Sequence, residues 1–497
     1  MFDLKKEEKI LDFWRDNKIF EKSLENRQKA TEFLGGLKHR QETTPSKRFV
    51  FFEGPPTANG LPHIGHFLTR IYKDVFGRYK TMRGFYVLRK AGWDTHGLPV
   101  EIEVEKELGF KNKKDIEVYG IDKFNKKAKE SVWKYKNEWE HMTKKMGFWL
   151  DMSDPYITYK NQYIESLWAI IKKIWDRKLL YLAHRVVPFC TRCGTGLSSH
   201  EVAQGYKSVK DKSVYIMFKM KGGTNSNSYI LSWTTTPWTL PGNVALAINS
   251  NLTYIRARVR INGAEQWVIA AQNTWPKIRE FLVEKQFHPE QHGTQIPARE
   301  LVGESYEPLF DIPKLKSESS YKIYDTDFVT ADDGTGVVHT AVMYGEDDYN
   351  LGIKIGLPKF HTVDEQGKFI HVGQGLDGMY VKDKQTENLI IEILEKNGNL
   401  LKTEEYEHDY PFCWRCNTPL LYYAKESWFI KMSAVNKELL KNNQKTNWIP
   451  NHIKDGRFGQ WLKEGKDWAF SRERYWGTPL PIWKCNDCGE FMTAGSL

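Results

Sequence analysis

The sequence of 497 residues lacks the features of membrane, secreted and repeat proteins. No apolar run reaches the roughly 20 residues of a membrane-spanning helix. The first residues mix acidic and basic side chains, unlike a secretory signal peptide. Internal repeats and low-complexity tracts are also missing. We therefore expect a globular, cytoplasmic protein that does not associate with a membrane.

Isolated cysteines are missing too, because all six occur in C-x-x-C pairs: Cys190/Cys193, Cys413/Cys416 and Cys485/Cys488. Two thiolates at this spacing can bind the same tetrahedral ion, and in a chain without a secretory signal the pattern favours Zn²⁺ over disulfides. A redox-active pair is the alternative for any single one of them.

The first two pairs bracket the middle of the chain, so one zinc bound by all four of their thiolates would connect the exit and return strands of an inserted domain. Cys485 and Cys488 form a possible second site, which is incomplete because no Cys or His follows them. A pairing of the second pair with the third remains open, although it leaves the first pair unexplained.

Length and composition predict a large globular protein with a polyanionic partner. A chain of 497 residues is too long for one core and indicates two or three domains. Its 18 Trp and 26 Phe are ample for those cores. The net charge of +10 favours a partner such as a nucleic acid, although the charge is spread along the chain.

Residues 54–66, with the sequence GPPTANGLPHIGH, predict a phosphate site between a strand at 48–53 and a helix. Glycines permit close approach of the backbone, and Pro62 suits the first position of the helix. A helix N-terminus attracts anions. Because His63 and His66 are three residues apart, both can donate hydrogen bonds to one anion. A lone histidine in such a turn is more often structural.

Two further regions have a clear secondary-structure pattern. A second strand at 85–90 leads into the polar segment 91–101, at the type of strand end where α/β sheets bind ligands. Beyond Cys193, short β-branched and aromatic runs such as 213–218, 254–261 and 266–271 predict a strand-rich region that extends to about residue 400. Residues 24–47 are predicted to be a polar loop.

The 54–66 turn resembles the H-I-G-H signature of class I aminoacyl-tRNA synthetases. The segment 92–101 (GWDTHGLPVE) narrows the resemblance to the isoleucyl-tRNA synthetases. Other motifs follow in the order of that family: 197–205 (LSSHEVAQG), 233–243 (WTTTPWTLPGN), 334–340 (GTGVVHT) and 468–477 (WAFSRERYWG). The resemblance covers essentially the whole chain.

The resemblance implies an α/β fold, in which a Rossmann-type class I catalytic domain is interrupted by an inserted β-rich editing domain. The expected domains are 1–190 for the first catalytic part, 191–410 for the editing domain and 411–497 for the return to the catalytic domain.

The implied activity is that of an isoleucine–tRNA ligase. It would use ATP with Mg²⁺ to form isoleucyl-adenylate, transfer isoleucine to tRNA(Ile), and hydrolyse mischarged valine. Editing is needed because a missing methylene gives little discrimination in binding, and isoleucine against valine is the standard instance of this limit. The enzyme is expected to be a monomer that also contains Zn²⁺.

Site residues are implied at the matching positions. In the catalytic domain, His63 and His66 would stabilise the transition state when a carboxylate attacks the α-phosphate of ATP. The other catalytic-domain residues divide into those that would bind ATP, namely Gly54, Pro56, Asn59 and Gly65, and those that would bind isoleucine, namely Pro55 and Asp94. A cap of its loop is the alternative role for Asp94.

In the editing domain the implied residues are Trp233, Thr234, Thr235, Thr236, His339 and Asp348. The three threonines would supply hydroxyls near the scissile ester. His339 would limit the size of the side chain, and Asp348 would hold the amino group. Ordinary β-propensity is the alternative explanation of the threonine run.

The K-M-S-K-S loop of the family, whose lysines neutralise ATP phosphates, does not occur in this sequence. We therefore expect the chain to be the amino-terminal portion of a longer synthetase. Two alternatives stay open for the chain by itself: an editing aminoacyl-tRNA deacylase, or a non-catalytic zinc-containing module that binds tRNA.

Overall fold

The computed structural model describes residues 4–33, 47–57, 59–222, 225–226, 228–261, 263–332 and 334–496. The chain divides into two compact units, residues 1–177 with 474–497 and residues 178–473. Both predicted domain boundaries fall inside the second unit, and the three functional domains stay a prediction. Among the described residues, no helix is long and apolar enough to cross a membrane.

The first unit is mainly helical up to residue 177. Its helices are α1 (Leu4–Asp16), α2 (Ile19–Phe33), α3 (Ile64–Met82), α4 (Leu98–Leu108), α5 (Lys113–Tyr119), α6 (Ile121–Ser131), α7 (Lys136–Lys145) and α8 (Asn161–Asp176). Its first two strands are β1 (Lys90–Trp93) and β2 (Asp151–Ile157). These strands pair in parallel, and α4 to α7 form the connection between them.

The strands predicted at 48–53 and 85–90 are largely missing from the described structure, in which β1 begins only at Lys90. Residues 48–53 and 85–90 meet only at one parallel bridge, between Arg48 and Tyr86. The apolar run does not form a buried strand: Val50 and Phe52 are 68% and 88% exposed, whereas Phe49 and Phe51 are half-buried. The prediction of a strand at 48–53 was therefore wrong, whereas the helix after the turn is confirmed as α3.

The predicted loop at 24–47 was wrong for residues 24–33, which continue α2. This segment contains Leu, Glu, Arg, Gln, Lys and Ala, which favour helices, and no proline interrupts it. Residues 34–46 lie outside the described part of the chain.

The second unit is rich in strands. They are β3 (Leu180–Cys190), β4 (Thr195–Gly196), β5 (Tyr206–Lys221), β6 (Ser228–Thr234), β7 (Ala245–Ile248), β8 (Thr253–Ile261), β9 (Ala264–Ala271), β10 (His288–Pro289), β11 (Thr294–Pro297), β12 (Ser305–Tyr306), β13 (Lys322–Asp325), β14 (Val338–Thr340), β15 (Leu400–Pro411), β16 (Leu421–Ile430) and β17 (Trp468–Ala469). Its helices are α9 (Ser199–Val202), α10 (Trp275–Glu284), α11 (Glu346–Ile355), α12 (Lys384–Lys396), α13 (Asn436–Gln444) and α14 (Arg457–Glu464).

Among the described residues, eleven of these strands form one sheet in the order β10-β8-β9-β6-β5-β12-β13-β7-β14, with β11 on β8 and β15 on β5. The predicted runs 213–218, 254–261 and 266–271 lie in β5, β8 and β9, so these predictions are confirmed. A large apolar core on this sheet includes Phe218, Leu246 and Tyr344.

A separate sheet of the second unit has the order β17-β16-β3-β4. Its central pair, β3 and β16, is antiparallel over ten residues. The chain leaves β3 and enters β5 of the large sheet, and it returns from β15 into β16. A C-x-x-C pair stands at each of these two passages.

The chain then returns to the first unit, which ends in the hairpin β18 (Ile482–Lys484) and β19 (Phe491–Thr493). Arg474 forms ion pairs with Glu101 and Glu105 of α4, and the three side chains are between 0% and 4% exposed. The backbone N–H groups of Tyr475 and Trp476 donate to the Glu101 carboxylate at 3.1 and 2.5 Å. This buried network fixes residues 474–476 on α4.

Replacing Arg474 by Met should strongly destabilise this part of the first unit. The substitution leaves two buried carboxylates without their cation, which typically costs about 3–5 kcal/mol. The measurement is hydrogen-exchange protection of α4, read as the free energy of opening.

The exposed pair between Lys127 and Glu107 provides the matched control. Lys127→Met should change the free energy of opening by less than about 0.5 kcal/mol, because surface ion pairs contribute little. Equal protection in the two variants would contradict a structural role for the Arg474 network.

Candidate active site and metal centre

The two histidines of the 54–66 turn cap helix α3. His63 is the N-cap residue, and its Nδ1 accepts a hydrogen bond from the N–H of Gly65 at 3.2 Å. The N–H of His63 in turn donates to Nδ1 of His66 at 3.2 Å. The two imidazoles thus form a capping box, in which Ser or Thr with Glu or Gln is usual. The helix begins at Ile64, so Pro62 precedes the cap and does not occupy the first helical position that the sequence predicted.

This capping arrangement determines which nitrogen carries the proton. In each neutral ring Nδ1 accepts, so the hydrogen must be on Nε2. The ring centroids are 3.8 Å apart, and neither Nε2–H has a hydrogen-bond partner among the described residues. Two donors therefore stand side by side at the positive end of a helix, which suits a phosphate group.

The surroundings of the capping pair hold it in place. The ring of His66 packs on Trp139 with centroids 4.7 Å apart, and Trp139 donates from Nε1 to the carbonyl of Gly60 at 2.9 Å. Partial burial, followed by the charges of His63 and Arg70, lowers the pKa of His66 and favours the neutral ring. A Cβ on Gly65 would lie 3.1 Å from the His63 ring, so a larger residue would have to displace the ring by a few tenths of an ångström.

The segment 54–57 lies against Asp94 at the end of β1. The N–H of Asp94 donates to the carbonyl of Pro56 at 3.0 Å, and the hydroxyl of Thr57 donates to its carboxylate at 3.4 Å. The structure thus brings Asp94 into contact with the predicted residue Pro56, next to Pro55 in the chain. Asn59 and Gly60 are half-buried, and a Cβ on Gly60 would meet no atom within 4 Å.

Pro55 lines a cavity of about 410 Å³ together with Phe51, Phe52, Glu53, Lys90, Tyr156 and Tyr163. Glu53 accepts two hydrogen bonds, one on its carboxylate and one on its backbone carbonyl. Lys73 donates to its carboxylate at 2.9 Å, and the hydroxyl of Tyr156 donates to its carbonyl at 2.8 Å. Its second carboxylate oxygen is buried with no partner among the described residues. A Cβ on Gly92 would lie 2.2 Å from the Tyr156 ring, so this glycine admits the tyrosine.

The predicted editing residues approach one another around β6 and β14. The hydroxyls of Thr234 and Thr236 are 3.1 Å apart, and Thr239 donates to the carbonyl of Thr236 at 2.8 Å. The hydroxyl of Thr239 also lies 2.9 Å from Nε2 of His339. A chain of hydrogen bonds therefore connects the threonines to His339, while Thr235 is half-buried beside them.

Asp348 is attached to the strand that carries His339. Its carboxylate accepts a hydrogen bond from the N–H of Ala341 at 2.9 Å, just beyond β14. Desolvation raises the pKa of Asp348 to about 7. The hydrogen bond from Ala341 opposes this shift, and the nearby charge of Asp347 adds to it. A carboxylate with a raised pKa is suited to binding an ammonium group that restores its charge.

Trp233 is separated from these hydroxyls. Successive side chains of a strand point to opposite faces, so Trp233 and Thr234 diverge. The Trp233 ring packs on Tyr406 and Tyr215, with centroids 5.2 and 6.3 Å away. The structure therefore places the Trp233 ring on the face of β6 opposite to the Thr234 hydroxyl.

Cys190, Cys193, Cys413 and Cys416 converge in the second unit, as the sequence predicted. Their sulfur atoms all lie within 4.8 Å of one another, and Sγ of Cys416 is 3.4 Å from Sγ of Cys190. Hydrogen bonds among the thiols shift their pKa values in opposite directions. The bond with Cys190 makes the largest contribution to lowering the pKa of Cys413 to about 7. The bond with Cys193 makes the largest contribution to raising the pKa of Cys190. Four soft ligands at this separation fit a tetrahedral metal ion.

All three C-x-x-C turns have the same backbone form. The residue after the second cysteine is left-handed in each, namely Gly194 (φ 63°), Asn417 (φ 64°) and Gly489 (φ 75°). Its N–H donates to the carbonyl of the first cysteine at 2.8, 2.8 and 3.0 Å. Cys485 and Cys488 are exposed, and no third ligand groups with them in the described part of the chain.

Sequence reasoning missed several residues that shape these sites, notably Glu53, Lys73, Trp139, Tyr156 and Thr239. Only Thr239 stood in a quoted motif, at 233–243. The others are distant in sequence from the residues that they contact, and nothing in the local pattern indicated those contacts.

The chain matches the sequence profile of a known protein family. The profile described as "tRNA synthetases class I (I, L, M and V)" matches residues 9–497. An isoleucine–tRNA ligase of Clostridium novyi (strain NT) is 49% identical over 99% of this chain, and isoleucine–tRNA ligase 2 of Bacillus thuringiensis subsp. konkukian (strain 97-27) is 48% identical over 99%. The chain spans 44% of the length of each.

Two solved structures are more distantly similar. The agnB2 LeuRS–tRNA–LeuAMS ternary complex of Agrobacterium radiobacter K84 shares 16% identity, with a TM-score of 0.35 over 98% of this chain and 52% of that chain. GlLeuRS-CP1 shares 11% identity, with a TM-score of 0.30 over 39% of this chain and 98% of that chain.

Proposed function

The chain belongs to the class I tRNA synthetases of the isoleucine, leucine, methionine and valine group, and from this membership we propose that it is part of an isoleucine–tRNA ligase. This proposal rests on the 49% identity, over 99% of the chain, to a protein named isoleucine–tRNA ligase. The α/β class I fold that the sequence predicted is confirmed by the family match. The proposed substrates are ATP, isoleucine and tRNA(Ile), and the proposed enzyme is a cytoplasmic monomer.

Activation of isoleucine would use the capping pair of α3. The Nε2–H groups of His63 and His66 donate to phosphate oxygens as negative charge develops during attack on the α-phosphate. Gly54, Pro56, Asn59 and Gly65 would accommodate ATP, with Pro55 beside the isoleucine side chain. Asp94 would bind the α-ammonium, and its contacts with Pro56 and Thr57 support this proximity.

Mg²⁺ would arrive with the nucleotide. Within the described part of the chain, the four-cysteine cluster is the one group of three or more potential metal ligands, and its thiols do not suit this ion. Mg²⁺ commonly binds through substrate phosphates with few protein ligands, which fits this arrangement.

The second unit would hydrolyse valine esters of tRNA. Thr234, Thr235 and Thr236 supply hydroxyls, His339 limits the side chain, and Asp348 holds the α-ammonium. We assign Trp233 a supporting role behind the threonine strand, because its ring packs on Tyr215 and Tyr406. The net charge of +10 suits a tRNA partner.

A deacylase activity of the chain by itself is the second candidate. It is favoured because the editing residues, from Thr234 to Asp348, all lie within one compact unit at 178–473. This activity requires no ATP, so it can be measured on the chain without activation of isoleucine.

Zn²⁺ is the metal that we propose for the four cysteines. Cys190, Cys193, Cys413 and Cys416 would bind it as thiolates, and the ion would have a structural role because four protein ligands leave no open position. It would fix the two passages between the sheets of the second unit. Cys485 and Cys488 supply half of a possible second site.

The proposed role of His63 and His66 in binding phosphate can be separated from their role in capping α3. In the full-length protein, the double substitution His63→Ser and His66→Gln installs an ordinary capping box, so the melting temperature should be maintained. Isoleucine-dependent ATP–pyrophosphate exchange should fall by at least about 100-fold, because the donors to the phosphate are lost.

The exposed His292 offers a matched control, since His292→Ala should leave the exchange rate unchanged. Wild-type exchange in the double variant would refute the proposed role of the turn.

Editing can be tested with valyl-tRNA(Ile) and the 497-residue chain. Asp348→Ala should lower the rate of deacylation about 10- to 100-fold, the usual effect of losing a hydrogen bond to a charged group. The wild-type rate should also fall as the pH drops through about 7, because Asp348 becomes protonated and no longer binds the ammonium. A wild-type chain that fails to deacylate valyl-tRNA would reject the activity.

The raised pKa of Asp348 can be tested separately through stability. An unfolded aspartate has a pKa of about 3.9. Because the folded pKa of Asp348 is higher, at about 7, the folded state loses stability as the pH rises between these values. Asp348→Asn should therefore raise the melting temperature at pH 8 but not at pH 4.

Metal content tests the cysteine assignment. Elemental analysis of the wild-type chain should find at least about one zinc ion, and Cys190→Ser with Cys413→Ser should remove it and lower the melting temperature. Cys485→Ser with Cys488→Ser is the matched control and should leave this tightly bound ion in place. A folded chain without zinc would exclude the proposed centre.

A further inference from the structure

His339 is a buried histidine with one satisfied and one unsatisfied ring nitrogen. It is 7% exposed and lies on β14. Its Nε2 is 2.9 Å from the hydroxyl of Thr239. Its Nδ1 is buried and has no hydrogen-bond partner among the described residues. Such a group is costly unless something pairs with it.

The hydroxyl of Thr239 determines the direction of the bond to His339. It lies 2.8 Å from the carbonyl oxygen of Thr236, which can only accept. The single hydroxyl hydrogen is therefore donated to Thr236. The oxygen of Thr239 must then accept from Nε2–H of His339, since the reverse direction would leave two oxygens in contact without a proton between them.

The charge state of the ring agrees with this geometry. Burial lowers the pKa of His339 to about 4, so the imidazole is neutral at physiological pH. With its one hydrogen on Nε2, the ring leaves a lone pair on Nδ1.

Both partners stand on well-packed backbone. Thr239 lies in a 3₁₀ helix at 237–242, whose residues are all buried. His339 pairs with Leu246 of β7, and the neighbouring carbonyl of Thr340 accepts a hydrogen bond from Val244 at 3.0 Å. The orientation of the imidazole is therefore set by two fixed elements that meet in one core.

We propose that Thr239 is a positioning residue that holds His339 as the Nε2–H tautomer, so that Nδ1 accepts a hydrogen bond from an aminoacyl ester bound in the editing site. This inference rests on the proposed editing function and adds to it a polar contact by His339 beyond limiting size. The ligand group must be a donor, such as an ammonium or hydroxyl of the aminoacylated terminal adenosine. A substrate donor would satisfy the one nitrogen that the protein leaves unpaired.

The proposal is tested on the full chain by three substitutions. Thr239→Val keeps the shape of the side chain but cannot accept from Nε2–H, so deacylation of valyl-tRNA should fall at least about tenfold. Thr239→Ser keeps the hydroxyl and should recover most of the rate. Thr340→Val removes another buried hydroxyl, which has no partner in the described structure, and should deacylate at the wild-type rate.

Nitrogen NMR of histidine-labelled protein reads the tautomer without relying on activity. The His339 signals are identified by their loss in His339→Asn, and above pH 6 they should show hydrogen on Nε2 and a bare Nδ1. Adding a non-hydrolysable valyl-adenosine analogue should shift the Nδ1 signal.

The outcomes separate this inference from the proposed function. Hydrogen on Nδ1 of His339, or wild-type deacylation by a folded Thr239→Val, would overturn the positioning role alone. Equal loss of activity in the Ser and Val variants would also overturn it, since the hydroxyl would then not matter. A wild-type chain without deacylation would instead refute the editing function and the substrate contact that depends on it, while the NMR signal would still report the tautomer.

Discussion

The convergence of four cysteines is the constraint on which the second unit depends. The chain passes twice between the sheet of β3 and β16 and the sheet of β5 and β15, and each passage turns through a C-x-x-C pair. The start of β5 and the end of β15 approach closely at these passages, since a Cβ on Gly205 would lie 1.9 Å from the carbonyl oxygen of Phe412. Four thiols within 4.8 Å of one another suit a bound cation, which would stabilise them as thiolates. The ion would thereby hold the base from which the strands of the large sheet extend.

Much of this arrangement could be predicted from the sequence because its causes are local. The spacing within each cysteine pair belongs to a few consecutive positions, and it predicted that the pairs share an ion. The helix after the 54–66 turn followed from its periodicity, and the strand-rich region from its β-branched runs. The N-cap at His63 was not predicted, because imidazoles are uncommon caps and Pro62 suggested an earlier start.

The remaining contacts depend on pairs that are far apart in the chain. Arg474 meets Glu101 and Glu105 only after the whole second unit has been traversed, and no local pattern identifies those partners. Trp233 and Thr234 show a different reason why a contact cannot be predicted from a motif. The two residues are adjacent in the sequence, but successive side chains of a strand point to opposite faces. A motif therefore predicts which residues lie near one another along the chain but not the direction in which each side chain points.

The two candidate sites use the same tautomer of histidine for opposite purposes. At His63 and His66, backbone N–H groups occupy Nδ1 and leave Nε2–H as the available donor, which matches an anionic phosphate. At His339, the hydroxyl of Thr239 occupies Nε2–H and leaves Nδ1 as the available acceptor, which matches a donor on an aminoacyl ester. Burial or partial burial lowers the pKa of His66 and of His339, so neither ring needs a charge for its role. The polarity that each site offers is thus decided by the neighbour that engages the other nitrogen of the ring.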